Sequence, residues 1–201
     1  ATPILCVSKG IENETLLRPT EIIEEVTGTT ASMASLSGPT IATELARRQP
    51  ATQLAPSPDG VLAPLAQQLI TVPGIRIYRH DDLVGTELAG ATKNVIALAA
   101  GMVDGLEAGD NAKSALLARG LAEIARLGVA LGARTETFFG IAGVGDLATT
   151  CFSPHGRNRT CGERLGRGET LQAILESTVS VVEGVPTTRS VMALARRADV
   201  D

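Results

Sequence analysis

One stretch of the chain constrains its fold more than any other, because it is long, apolar and almost uncharged. Residues 82–103 have the composition of an α-helix, and Lys93 is the only charged residue between Glu87 and Asp104. A helix that is apolar nearly all round belongs inside a protein core. The uncharged run is too short to span a membrane, and polar residues 92–94 interrupt it. We therefore predict a central helix with a buried polar group at its middle.

The chain changes character near His80. Before it, short apolar runs at 3–7, 31–36, 51–55 and 75–78 alternate with amphipathic helical patterns at 20–26, 41–48 and 58–70. After it, helical patterns follow the central helix at 110–131, 135–139, 145–151, 157–165, 171–176 and 187–197. Strands that alternate with helices are typical of a parallel α/β unit. We predict an α/β domain over 1–81 and an all-α domain over 82–201.

Composition excludes several classes of protein. A net charge of −4 and a pI near 5.3 argue against a nucleic-acid binder, which usually carries a broad basic surface. Three cysteines without CxxC spacing predict neither a disulfide framework nor a zinc site, and they favour a reducing compartment. We expect no metal and no membrane insertion.

Lysine is rare in this chain, which makes each lysine informative. Of 18 basic residues only Lys9, Lys93 and Lys113 are lysines. Arginine stays protonated near neutral pH, whereas the surroundings of a lysine can bring its pKa within reach of proton transfer. Lys93 is the strongest candidate, because a buried ammonium needs a lowered pKa or a partner carboxylate. The alternative is that its stem carries the ammonium out to solvent, but Asn94 beside it favours a shared polar site.

A second polar group follows a glycine-rich segment in the helical half. Gly143-Val144-Gly145-Asp146-Leu147-Ala148 formally matches the GxGxxA form of the dinucleotide fingerprint, which requires a preceding strand. Because the segment lies among helices, we interpret it as a close turn that groups Asp146 with two threonines. Gly156-Arg157-Asn158-Arg159 follows, and Arg157 near a helix start suits a phosphate ligand. The alternative for this second motif is a solvated basic turn.

Five motifs in order resemble the NAD(P)-dependent glycerol-3-phosphate dehydrogenase family over essentially the whole chain. They are Ser37-Gly38-Pro39-Thr40, Ala91-Thr92-Lys93-Asn94-Val95-Ile96-Ala97, Gly143-Val144-Gly145-Asp146-Leu147, Gly156-Arg157-Asn158-Arg159 and Val182-Glu183-Gly184. The resemblance implies a Rossmann-type domain joined to a helical substrate domain, with NAD or NADP as cofactor. It also implies reversible reduction of dihydroxyacetone phosphate to glycerol 3-phosphate, which supplies phospholipid synthesis, by a cytoplasmic homodimer.

The same resemblance assigns roles to individual residues. Lys93 would be the proton donor and acceptor. The expected substrate-binding residues are Lys9, Gly38, Thr40, Lys93, Asn94, Asp146, Gly156, Arg157 and Asn158. The expected cofactor-binding residues are Lys9, Ala42, Arg157, Val181 and Glu183. Gly156 departs from the serine that the family often has before its Arg-Asn pair, so a side-chain contact is lost there.

No glycine-rich strand-turn-helix fingerprint precedes Pro3. We therefore expect an internal fragment that also stops short of the family's C-terminal helices and is inactive by itself. Two other readings stay open. A β-hydroxyacid dehydrogenase shares the domain plan and a helix lysine followed by asparagine, and a non-catalytic module could bind a phosphometabolite.

Overall fold

The first part of the chain forms parallel strands connected by helices, as the alternating pattern predicts. A computed structural model describes residues 2–28 and 32–200. Strand β1 (Ile4–Cys6) pairs in parallel with β2 (Met33–Ser35), and β3 (Ala51–Pro56) pairs in parallel with β4 (Ile75–His80). An antiparallel bridge between Ser37 and Leu54 connects the two pairs. Helices α1 (Pro19–Thr27), α2 (Ala42–Ala46) and α3 (Leu62–Ile70) lie between the strands in sequence.

The second part is helical throughout. Its elements are α4 (Leu83–Gly105), α5 (Gly109–Ala130), α6 (Thr135–Phe138), a π-helical turn (Ile141–Gly145), α7 (Asp146–Phe152), α8 (Arg157–Gly166), α9 (Leu171–Ser177) and α10 (Gly184–Arg197). The predicted fold class, a Rossmann-type α/β part followed by helices, is thereby confirmed. No helix of the described residues is long and apolar enough to cross a membrane.

Several predicted boundaries were wrong by a turn. The strand that we predicted at 31–36 is observed at Met33–Ser35, and residue 31 lies outside the described residues. Helix α3 begins at Leu62 rather than at 58, because the Asp59 carboxylate accepts hydrogen bonds from the backbone N–H of Val61 and Leu62 and holds a turn there. Helix α10 begins at Gly184, three residues before the prediction. Pro186 is tolerated in its first turn, because backbone N–H groups there have no hydrogen-bond partner within the helix.

Helix α4 is the central element, as its apolar sequence predicts. The Asp82 carboxylate caps it by accepting from Gly85 N–H at 2.8 Å. Leu88 and Ile96 of α4 join Ile124, Leu127 and Phe138 from neighbouring helices in the main hydrophobic core. Lys93 and Asn94 are buried on the same helix, so a polar site lies within this core.

A buried ion pair ties helix α1 to helix α4. Arg18 Nη1 lies 2.6 Å from Glu87 Oε2, and the Thr20 hydroxyl donates to the same oxygen at 2.7 Å. Desolvation raises the pKa of the Glu87 carboxyl, although its hydrogen bonds with Thr20 and the charge of Arg18 oppose that effect. This pair fixes the α/β part against the first turns of α4.

Helices α4 and α8 approach each other closely because glycines face the partner backbone. A Cβ at Gly101 or Gly105 would overlap the backbone of α8, and a Cβ at Gly162 or Gly166 would overlap the backbone of α4. Side chains at these positions would push the helices apart. The glycines therefore bring α8 directly against the helix that carries Lys93.

Candidate active site

A cleft opens where the carboxyl ends of β1 and β2 meet the helices. Parallel α/β sheets bind ligands at this edge, because the loops that leave the strands converge there. The cleft has a volume of about 770 Å³. Its lining residues are Val7, Ser8, Lys9, Thr40, Ile41, Ala42, Thr43, Lys93, Asn94, Asp146, Thr149, Thr150, Ser153, His155, Gly156, Arg157, Asn158, Ser180 and Glu183.

Lys93 lies at the base of this cleft, and its ammonium has specific partners. It donates to Asp146 Oδ1 at 2.6 Å and to the Thr150 hydroxyl at 2.9 Å. Its side chain is 10% exposed, so the alternative in which it reaches solvent through its stem is wrong. Desolvation lowers the pKa of Lys93 and the positive charge of Lys9 lowers it further, while Asp146 acts in the opposite direction. Burial thus outweighs the ion pair and favours release of the proton.

Asp146 is shared between two ammonium groups. Its Oδ2 lies 2.7 Å from Lys9 Nζ, while its Oδ1 contacts Lys93, and the carboxylate is 2% exposed. Lys9 also donates to the Gly38 carbonyl at 3.3 Å. Two cations around one carboxylate leave a local excess of positive charge. Such a site favours a negatively charged oxygen over a neutral one.

The segment before Asp146 explains how it reaches this position. Residues Ile141–Gly145 form the π-helical turn, and the element directly before it is helix α6 rather than the strand that a dinucleotide fingerprint requires. A Cβ at Gly143 would overlap the Phe138 backbone. The glycine therefore permits the close turn that the sequence predicts, and Asp146 follows as the first residue of α7.

Thr150 is one of the two threonines, Thr149 and Thr150, that the sequence predicts beside Asp146, although the family resemblance gave it no role. Its hydroxyl donates to the Asp146 carbonyl at 2.7 Å and accepts from Lys93 Nζ. Residues four apart on a helix lie on one face. The structure thus places Thr150 beside Asp146 as the sequence predicts, and both contact Lys93 Nζ.

The opposite wall is formed by the start of α8 and the residues before α10. Arg157 is the first residue of α8, half exposed, with Nη2 at 3.4 Å from Glu183 Oε1. Asn94 donates to Glu183 Oε2 at 3.2 Å, and Asn158 Oδ1 accepts from Gly184 N–H at 2.8 Å. Glu183 therefore connects α4, through Asn94, with α8, through Arg157, on this side of the cleft.

Most predicted site residues line the cleft, with two exceptions. Gly38 lies beside it, where its carbonyl binds Lys9 and a Cβ would come within 2.7 Å of the Thr52 carbonyl. Val181 is 68% exposed and outside the lining, although the neighbouring Ser180 belongs to it. Arg159, which the motif grouped with the phosphate-binding residues, points away and binds Asp104. Four loop residues line the cleft without having been predicted, because loop residues carry no periodic signal; they are Ser8, Ser153, His155 and Ser180. Thr43 of α2 also lines it without having been predicted.

The chemistry of the cleft fits an anionic ligand such as a phosphate. Lys9 and Arg157 supply cationic donors, and the first turn of α8 presents backbone N–H groups beside Arg157. At the end of β2 the Ser37 hydroxyl is buried, and among the described residues it has no hydrogen-bond partner. Among these same residues no group of three His, Cys, Asp or Glu side chains could hold a metal ion. The donors that are present suit a phosphorylated molecule.

Both halves of the chain match models of one protein family. The model of the NAD-dependent glycerol-3-phosphate dehydrogenase N-terminus matches residues 1–62, and the model of its C-terminus matches residues 82–201. Glycerol-3-phosphate dehydrogenase [NAD(P)+] of Listeria innocua is 48% identical over 202 residues, and that of Staphylococcus aureus strain JH9 is 49% identical over 197 residues. These alignments cover 100% and 97% of this chain but 60% and 59% of the relatives. The chain therefore spans less than two thirds of their length.

Solved structures of glycerol-3-phosphate dehydrogenases have the same fold. The crystal structure of the Coxiella burnetii protein superposes with a TM-score of 0.94 at 35% identity, covering 100% of this chain and 61% of that one. The Saccharomyces cerevisiae structure superposes with a TM-score of 0.82 at 28% identity, covering 97% of this chain and 59% of that one.

Proposed function

Since this chain belongs to the NAD-dependent glycerol-3-phosphate dehydrogenase family, we propose that the protein that carries it interconverts dihydroxyacetone phosphate and sn-glycerol 3-phosphate. The observation that carries the proposal is the buried ammonium of Lys93, held by Asp146 and Thr150 at the base of an anion-binding cleft. The relatives' names state the activity of those proteins, and the cleft supplies the groups that such a reaction needs.

Lys93 is the proposed proton donor for reduction. Reduction of a ketone to an alcohol needs a hydride at carbon and a proton at oxygen. Lys93 would donate that proton to the developing alkoxide, while Asp146 and Thr150 hold its Nζ in place. The lowered pKa of Lys93 makes the proton easier to release, and the neutral amine would accept a proton from the alcohol in the reverse direction. Acid-base help of this kind contributes about 10²–10⁴-fold to a rate.

The phosphate end of the substrate would bind at the start of α8. Arg157 offers a planar pair of donors and the first turn of the helix adds backbone N–H groups. Asn158, Gly156 and Asn94 complete that wall, and Lys9, Gly38 and Thr40 would contact the substrate from the strand side. Glu183 holds Arg157 only at 3.4 Å, so an incoming phosphate can replace that contact.

NAD or NADP is the proposed cofactor, and its nicotinamide would supply or accept the hydride. Lys9, Ala42, Arg157 and Glu183 would hold its near end, since they line the cleft beside the carboxyl ends of the strands. Val181 remains a predicted contact on the resemblance alone. We also propose the division into a dinucleotide-binding part, 1–81, and a substrate-binding part, 82–201.

The test is a substrate comparison with the full-length natural protein. We expect oxidation of sn-glycerol 3-phosphate with NAD or NADP, measured by the absorbance of the reduced cofactor, and little activity on small 3-hydroxy acids. Activity on the 3-hydroxy acids alone would identify a β-hydroxyacid dehydrogenase instead. Binding of glycerol 3-phosphate without turnover would favour a non-catalytic module.

The family resemblance also supports a cellular setting. We propose a homodimer that works in the cytoplasm and supplies glycerol 3-phosphate to phospholipid synthesis. Sedimentation of the full-length protein tests the dimer, since a monomer at micromolar concentration would contradict it. Fractionation of the source cells tests the location.

A further inference from the structure

Lys113 is the third lysine of the chain, and the proposed reaction does not use it. It lies on α5, 6% exposed, outside the lining of the cleft. Its ammonium donates to both oxygens of Asp104, at 3.0 and 2.8 Å. A buried ammonium is expensive unless it is paired in this way. The ion pair with Asp104 therefore offsets the cost of burying Lys113.

Two further contacts extend the pair toward the cleft. Arg159 Nε donates to Asp104 Oδ2 at 2.7 Å. On the other side, Lys113 Nζ lies 5.0 Å from the centre of the Phe152 ring, a cation–π distance. Phe152 is the last residue of α7, and Arg159 lies in the first turn of α8. The Lys113–Asp104 pair thus contacts Phe152 and Arg159, the two residues that flank 153–158 in the sequence.

Five of the six residues 153–158 line the cleft, including Arg157 and Asn158, and this segment is its wall on that side. Within the described chain, the hydrogen bonds of residues 153–156 lead only to residues between Thr149 and Thr160. Residues 153–156 therefore have no hydrogen bond that anchors them outside this window, while Arg157 and Asn158 beyond them also contact Glu183 and Gly184. On the N-terminal side of the segment Phe152 contacts Lys113, and on its C-terminal side Arg159 binds Asp104.

We propose that Lys113 and Asp104 brace this wall from behind and act as positioning residues for the phosphate end of the substrate. The proposal rests on the proposed function for its substrate, but its structural content concerns the wall alone. The brace acts on Arg157 and Asn158 and leaves Lys93 unchanged.

The test uses Lys113→Met in the full-length natural protein, since methionine keeps most of the side-chain volume and Asp104 retains Arg159. We expect KM for dihydroxyacetone phosphate to rise about tenfold with kcat within about twofold, because misplaced binding groups weaken substrate binding without removing the acid. The pH profile of kcat should not move. Amide hydrogen exchange at 153–158 should become faster even without substrate.

Arg18→Met is the matched control. It also removes the cation of a buried ion pair, but at the other end of α4, where Glu87 keeps its hydrogen bonds with Thr20. We expect it to lower the melting temperature without raising KM or the exchange rate at 153–158. A general loss of stability is thereby separated from loss of the brace.

Two results would overturn the proposal. The first is a Lys113→Met protein with a lower melting temperature but unchanged KM and unchanged exchange at 153–158, which would leave Lys113 a purely stabilising residue. The second is a shifted pH profile with unchanged KM, which would place its influence on Lys93. If the unaltered protein turns over no dihydroxyacetone phosphate, the proposed function fails, while the exchange measurement still decides on the brace.

Discussion

Helix α4 contributes to two ion clusters in which two cations bind one carboxylate, and the clusters differ in what surrounds them. In the cleft cluster, Asp146 binds Lys93 of α4 and Lys9. In the rear cluster, Asp104 of α4 binds Lys113 and Arg159. Positions 93 and 104 are three turns apart on nearly the same face of the helix, about 16 Å along its axis. Each cluster joins one carboxylate to two cations.

The difference between them is access to a ligand. The ammonium of Lys93 lies at the base of the cleft next to the Thr150 hydroxyl, whereas that of Lys113 lies between Asp104 and the Phe152 ring. In addition, both cations at Asp146 are lysines, which can exchange protons, while Asp104 binds an arginine that does not. Burial of a lysine therefore does not by itself indicate catalysis. The cleft cluster differs from the rear cluster because a ligand in the cleft can reach it.

The largest effect should follow from loss of the lysine in the cleft cluster. We expect Lys93→Ala to reduce kcat about 10²–10⁴-fold, the usual contribution of a positioned acid. The fold should persist, because Asp146 keeps Lys9. Steady-state kinetics and circular dichroism of the full-length protein check both points. Lys113→Met is the comparison variant, and a Lys93→Ala protein with normal turnover would remove the distinction between the clusters.

Replacement of the two carboxylates sharpens the comparison. Asp146→Asn leaves two ammonium groups adjacent, so the pKa of Lys93 should fall further and kcat/KM for reduction should drop on the order of 10²-fold as Lys93 loses its alignment. Asp104→Asn should instead destabilise the protein by about 1–3 kcal/mol, since its partners lose a charged acceptor. Urea unfolding and kinetics distinguish these outcomes. Equal losses of kcat in both variants would contradict two separate tasks.

Arg157 tests whether the braced wall binds phosphate. We expect Arg157→Ala to raise KM for dihydroxyacetone phosphate about 10–100-fold, as loss of a charge-assisted hydrogen bond predicts, with a smaller change in kcat. Arg119→Ala is a suitable control. This arginine is exposed on α5, and its Nη2 lies 3.9 Å from Glu123 Oε1, which is too long for a hydrogen bond. An unchanged KM in Arg157→Ala would place the phosphate elsewhere.

The smallest effect concerns the pH dependence of the cleft cluster. In the proposed reaction, reduction requires protonated Lys93, so its rate should decline as pH rises through the pKa of that group. Lys9 lowers the pKa of Lys93 by charge repulsion, and Lys9→Met should therefore move this decline to higher pH. The pH profile of kcat for dihydroxyacetone phosphate reduction measures it. A decline that stays in place or moves to lower pH would show that Lys9 does not tune Lys93.

Sequence reasoning went furthest where local patterns decide the outcome. The burial of Lys93 followed from the apolar residues around it, and the close turn at Gly143 followed from glycines before a polar group. Val181 shows the limit of motif matching, because it is exposed and outside the cleft lining while its neighbour Ser180 lines it. Arg159 shows another limit, since a motif of four adjacent residues on a helix must point in several directions.

The burial of Lys93 and its need for a polar partner can be predicted from the sequence, because the cost of desolvation depends on neighbours along the same helix. Which carboxylate contacts which lysine depends instead on the packing of distant segments. Lys9 and Asp146 are 137 positions apart in the chain, and their contact depends on how the strand ends pack against α7. The same packing leaves Lys93 at the base of a cleft and places the Phe152 ring over Lys113. The two lysines therefore differ in whether a ligand can reach them, which composition alone does not show.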